Sequence, residues 1–160
     1  MKQKFGTDIG GVLAPSVDPS QKDKFDDESL RKFLPNPNGF RVVARIANQL
    51  LTPRDTFVIS YCDAETEVIS RRWLDIHGFF DITKISSENL FYCRDRSHKN
   101  IICQELGITD FVDDNIKVLN SLETVPNRYL FRTKEKEIKN LNPTIITVGD
   151  WIQVERKYFG

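Results

Sequence analysis

Cysteine is scarce in this chain of 160 residues: only Cys62, Cys93 and Cys103 are present. Their number is odd and their spacing is not that of a zinc site, so reduced thiols and a cytoplasmic setting are expected. No apolar run approaches the roughly 20 residues of a membrane span. The N-terminus has no apolar core of the kind a signal peptide carries. An excess of charge is missing too, with Lys plus Arg and Asp plus Glu at 23 each. Zero net charge provides no broad footprint for nucleic acid, although it leaves a local basic groove open. Internal repeats and low-complexity segments are absent. What remains is an ordinary globular composition, 29% charged and 39% hydrophobic. The length suits a single domain over residues 1–160.

Short apolar runs alternate with amphipathic stretches. Residues 56–61, 89–93, 108–115, 128–131 and 144–148 read as strands, in addition to a first strand ending near Thr7. Residues 40–51, 66–77, 100–106, 116–122 and 151–158 carry apolar side chains at helical spacing. Phe79 to Ile82 reads as a lead into the next strand. This alternation predicts an α/β fold: a doubly wound, mostly parallel sheet with helices on both faces. Residues 14–39 are polar and rich in Pro, Asn and Asp, and read as a small mobile flap or insert. The stretch 134–141 reads as charged and exposed.

Three strands end in groups with chemistry. The first ends at Asp8, followed by Gly10 and Gly11; the second ends at Ser60; a later one ends at Asp113-Asp114. Ligands of open α/β sheets bind beyond the carboxyl ends of the strands. Glycines there let backbone amides approach an anion. Clustered carboxylates repel and call for a cation. An all-oxygen donor set suits Mg²⁺, which keeps waters and shares phosphate oxygens. Lys99, which opens a helix, is placed to balance charge on a transferred phosphoryl group, and Arg96 and His98 lie close enough to exchange roles with it. For Asp113 the competing reading is a helix N-cap. For Asp8 it is a turn, and for Ser60 a hydroxyl satisfying local backbone. Cys62 has no identifiable histidine partner for thiol catalysis.

The order of these groups resembles the haloacid dehalogenase-like phosphohydrolase superfamily. The matching segments are Asp8-Ile9-Gly10-Gly11-Val12, Ser60, Lys99 and Phe111-Val112-Asp113-Asp114. The resemblance implies a Mg²⁺-dependent phosphatase acting on a phosphorylated substrate of unidentified class. Asp8 would attack phosphorus, Ser60 would bind a phosphate oxygen, and Lys99 would neutralise charge and hold Asp8. Mg²⁺ would sit on Asp8, the Gly10 carbonyl and Asp113, with Asp114 beside it. One position departs from the family pattern: the general acid is replaced by Gly10, which has no proton to give. Asp18, Asp23 and His98 are candidate substitutes. Family members often insert a lid, but residues 14–39 and 61–98 must also supply core elements and leave room for at most a small flap, which favours a large substrate or a partner subunit as cover. Oligomerisation is left open, and no membrane partner is expected.

Two other phosphate-handling classes fit less well. Gly6 to Gly11 resembles the first phosphate motif of actin-like sugar kinases, but such enzymes need two domains around a cleft. In receiver-type signalling domains the acidic pair belongs near the first strand. The remaining alternative is a binding or scaffold protein of the same fold without turnover, and Gly10 motivates it.

Overall fold

Six runs of β-branched and aromatic residues build the sheet. The computed structural model describes residues 1–132 and 141–160. Its strands are β1 (Phe5–Thr7), β2 (Thr56–Tyr61), β3 (Leu90–Cys93), β4 (Asp110–Asp113), β5 (Asn127–Phe131) and β6 (Ile145–Val148). They lie in the order β3-β2-β1-β4-β5-β6, and every neighbouring pair is parallel. Parallel strands are joined by crossovers and are covered on both faces. β2 and β4 are accordingly buried along nearly their whole length.

The helices are α1 (Asp27–Lys32), α2 (Gly39–Arg45), α3 (Ala64–Ile76), α4 (Phe79–Thr83), α5 (Arg96–Leu106), α6 (Ile116–Ser121) and α7 (Trp151–Phe159). Asp26, Asp63, Asp95 and Asp150 each cap a helix start, their side chains accepting from a backbone N–H three residues on. Leu30, Val42, Val43, Trp73, Phe79 and Trp151 pack with Phe5 and Val58 on one face of the sheet. Cys103, Val118 and Leu119 pack with Phe57, Ile59 and Phe111 on the other. Helices α5 and α6 therefore cover one face and the remaining helices the other, which is the expected doubly wound, Rossmann-like α/β arrangement. No helix among the described residues is long and apolar enough to cross a membrane. All three cysteines are free.

Three expectations shift. Residues Phe79–Thr83 form α4 and do not lead into a strand. Helix α5 starts at Arg96, capped by Asp95, so Lys99 lies inside its first turn. The expected mobile flap is packed over much of its length. The Trp73 indole donates to Phe33 O at 2.7 Å, the His77 ring bonds Leu30 O at 2.7 Å, and Arg72 pairs with Asp27. Asn36 is buried and donates to Val12 O at 2.7 Å and Ala14 O at 3.3 Å, while Arg132 donates to its carbonyl oxygen at 3.1 Å. Of the stretch expected to be charged and exposed, residues 134–140 lie outside the described residues.

Candidate functional site

The chain leaves β1 for β2 and β3 on one side, then returns to place β4 on the other. This reversal is the topological switch point, where ligands of such sheets bind. Thr7 is in register with Val112, and the Asp8 amide donates to Val112 O at 3.0 Å. The ladder thus carries Asp8 up beside Asp113, the last residue of β4. Thr7 is also in register with Val58, so the buried Ser60 flanks Asp8 on the β2 side.

Lys99 joins these strands from α5. Its side chain is fully buried, with Nζ 2.8 Å from Asp113 Oδ2 and 3.5 Å from Asp8 Oδ1. The ammonium also lies 4.9 Å from the centre of the Phe111 ring. That ring packs over Gly6, where a Cβ would come within 2.7 Å of it. Burial works against the charge on Lys99, but Asp113 and Asp8 overcome it and hold the amine protonated, above the ordinary lysine range. Replacing Lys99 by Met strands the Asp113 carboxylate without its cation. The expected loss is about 3–5 kcal/mol of stability, read by urea unfolding in chelator. A variant as stable as the parent would show that the pair is not held as described.

Asp8, Asp113 and Asp114 each offer an oxygen, and these oxygens all lie within 4.8 Å of one another. Burial pushes Asp8 up to about 7, with Lys99 pulling it down and Asp113 pushing it up. Burial also pushes Asp114 up to about 8, reinforced by Asp8 and Asp113. Asp113 does not cap α6. Its Oδ1 accepts from the Asn115 amide at 3.0 Å, and Asn115 is the cap, accepting from Lys117 N and Val118 N. Asp113 is thereby left with both oxygens aimed by partners and without the task of capping α6.

The two adjacent glycines have different tasks. Gly11 has φ +76°, and a Cβ there would run into the Asp114 carboxylate. It makes room for an acidic side chain, a task distinct from the expected phosphate cradle. A Cβ on Gly10 would meet nothing within 4 Å, so that position opens onto free space beside Asp8.

The raised carboxyls fix the sign of a pH effect. In the unfolded chain an Asp titrates near 3.8, whereas Asp8 and Asp114 in the folded protein keep their protons up to about 7 and 8. Between those limits the folded state binds more protons, so stability falls as pH rises. In chelator the melting temperature should be lower at pH 9 than at pH 5, and Mg²⁺ should restore it most at pH 9. A melting temperature that rises over this range would contradict the cluster. Three carboxylate oxygens form a hard donor set, which fits Mg²⁺ with several retained waters.

Above the cluster opens a cleft of about 670 Å³. Its floor holds Asp8, Gly10, Ser60, Lys99, Asp113 and Asp114. One wall is apolar, made by the segment after Gly11 and by α3: Val17, Phe25, Leu30, Phe33, Ile69 and Trp73. Arg94 and Cys62 also line it; burial pushes the Cys62 thiol up, away from thiolate. The candidate substitute acids do not converge on the floor. Asp18 is exposed, accepts from the Ser20 amide at 2.9 Å and is held below the usual carboxylate range by that bond. The side chain of Asp23 lies outside the described residues. Arg96 and His98 are exposed, and neither lines the cleft, which leaves the buried position to Lys99. Sequence reasoning missed Gly6, Asn36 and the apolar wall. Only the wall had a readable signal, the aromatics Phe25 and Phe33 in an otherwise charged stretch.

No family model matches this chain, and no curated protein matches it significantly.

Proposed function

We propose that the protein is a Mg²⁺-dependent phosphohydrolase of the haloacid dehalogenase-like type, working in the cytoplasm through a phosphorylated Asp8. The observation that carries this reading is the fully buried Lys99, tied at 2.8 Å and 3.5 Å to carboxylates from two neighbouring strands at the switch point. A buried ammonium shared by two carboxylates is costly to keep for structure alone.

Asp8 is assigned as the nucleophile because it stands at the end of β1, lines the cleft and lies 3.5 Å from the Lys99 ammonium, beside the open space at Gly10. Its oxygen attacks phosphorus, the ester oxygen leaves, and water then cleaves the aspartyl-phosphate to return the carboxylate. Lys99 keeps Asp8 oriented and offsets the charge that gathers on the phosphoryl oxygens. The Ser60 hydroxyl holds one of those oxygens. Asp8, Asp113, Asp114 and the Gly10 carbonyl would hold Mg²⁺, which when bound supplies the positive charge that lets a dianionic ester approach carboxylates.

Gly10 favours a second reading, a binding module of the same fold that holds Mg²⁺ and a phosphorylated ligand without turnover. Phosphate release from a panel of phosphoesters, with Mg²⁺ and with chelator, separates the two. Metal-dependent release is expected. Silence across the panel from folded, Mg²⁺-stabilised protein would leave the binding module.

A further inference from the structure

Beside Asp8 the floor of the cleft holds the carboxylates that would bind the metal and Lys99, which is tied to Asp8 and Asp113; no further acid stands there among the described residues. Gly10, two residues past Asp8, presents only backbone and open space. Outside the acidic cluster, Asp63 is the one carboxyl lining the cleft among the described residues. Asp63 is engaged, its side chain accepting from the Thr66 amide at 2.8 Å as the cap of α3. A leaving oxygen must then depart with its negative charge. An alkoxide does this poorly and a phenolate well.

The wall facing this floor is apolar and aromatic. Phe25 and Phe33 meet edge to face with ring centroids 5.5 Å apart. The Trp73 indole is fixed by its bond to Phe33 O. Ile69 completes the surface, with Trp73 and Leu30 buried behind it, and Val17 stands at its rim, 38% exposed. A surface of this kind, immobilised by α1 packing on α3, is suited to the flat face of a ring.

From these two observations together we infer that the substrate is an aryl phosphate, its ring on the wall formed by Val17, Phe25, Phe33 and α3 and its phosphoryl group at Asp8. The inference rests on the phosphohydrolase reading and names its substrate class. An Asp8 oxygen bonds to phosphorus while the bond from phosphorus to the phenolic oxygen breaks. That oxygen leaves with both electrons as phenolate and takes its proton from water afterwards. Water next attacks phosphorus in the aspartyl-phosphate, releasing inorganic phosphate and the Asp8 carboxylate. No co-reactant besides water is needed.

Three probes separate ring recognition from leaving-group ability: phenyl phosphate has both, acetyl phosphate has a good leaving group without a ring, and benzyl phosphate has a ring on a poor leaving group. With Mg²⁺, phenyl phosphate is expected to exceed benzyl phosphate in kcat by about 10²-fold or more, the usual worth of the missing proton transfer. Its KM should fall about ten-fold below that of acetyl phosphate, as a few buried ring carbons provide. Val17→Asp, at the exposed rim, should raise the KM for phenyl phosphate more than that for acetyl phosphate. Benzyl phosphate turned over as fast as phenyl phosphate, or acetyl phosphate with an equal KM and no differential effect of Val17→Asp, would overturn the aryl assignment and leave the phosphohydrolase standing. No release from any of the three would overturn both. A phosphotyrosine peptide run beside phenyl phosphate tells a ring carried on a polypeptide from a free one, and preferential turnover of either supports an aryl substrate.

Discussion

Asp8→Asn is expected to lose phosphate release by about 10³-fold or more and, in the same tube, to unfold at a higher temperature than the parent. The loss follows from chemistry: an amide of the same shape cannot attack phosphorus, and removing a covalent nucleophile forfeits its whole path. The gain follows from the surroundings. Burial raises Asp8 to about 7, with Asp113 adding to it and Lys99 and the Ile9 amide opposing. Above that pH the folded protein holds a charge that the unfolded chain would hydrate freely. Asparagine removes the charge and keeps the volume. The stabilisation should appear in chelator at pH 8 to 9 and shrink towards pH 5, where the parent is already protonated. Turnover by the variant at the parental rate would remove Asp8 from the nucleophile's role. A melting temperature below the parent's would mean that Lys99, not burial, dominates at this carboxyl.

Gly10→Asp is expected to raise turnover of ordinary alkyl phosphates by about 10²–10⁴-fold, the usual contribution of a positioned general acid. The backbone accepts the change. An added Cβ meets nothing within 4 Å, and Gly10 is not among the glycines in the left-handed region, unlike Gly11. The new carboxyl would lie two residues from Asp8 and face the cleft floor, where an acid could protonate the leaving oxygen. Gly10→Asn is the control, with the same bulk and no acid, and should give no gain. Gly11→Asp should do the reverse of Gly10→Asp, since its Cβ collides with Asp114 and its φ is strained for any side chain. Phenyl phosphate should gain far less than alkyl esters from Gly10→Asp, because its leaving group already departs unaided. An equal gain on both would show that the acid is not what the parent lacks.

Much of this could be read from the chain in advance, and the reasons are physical. The strand ends at Ser60 and at Asp113-Asp114 were legible because a buried parallel strand is an unbroken apolar run, and a polar residue closing it stands out. Lys99 was legible as a cation but not as the buried one, since Arg96 and His98 share its neighbourhood; only the start of α5 at Arg96 decides which side chain turns inward. Gly6 and Asn36 escaped, and Gly11 was given the wrong task, because their work is done on residues far away in sequence: Phe111, Arg132 and Asp114. The segment after Gly11 misled for a related reason. Its charges suggested mobility, while Leu30 and Phe33 pack against α3, which follows tens of residues later.

The position of β4 in the chain also determines when the site can exist. Below the cluster, Lys4 N bonds Thr109 Oγ1 at a separation of 105 residues. Until β4 pairs with β1, Asp8 lacks Asp113 as its neighbour. Closing so long a loop is among the slower and costlier steps of folding. The three carboxylates come together only once β4 has paired with β1, and a cation can bind only what has already been assembled. On the proposed reading Mg²⁺ would act mostly after the barrier, slowing unfolding far more than it speeds refolding. In kinetic terms the metal would serve as a latch on the finished fold and contribute little to its nucleation.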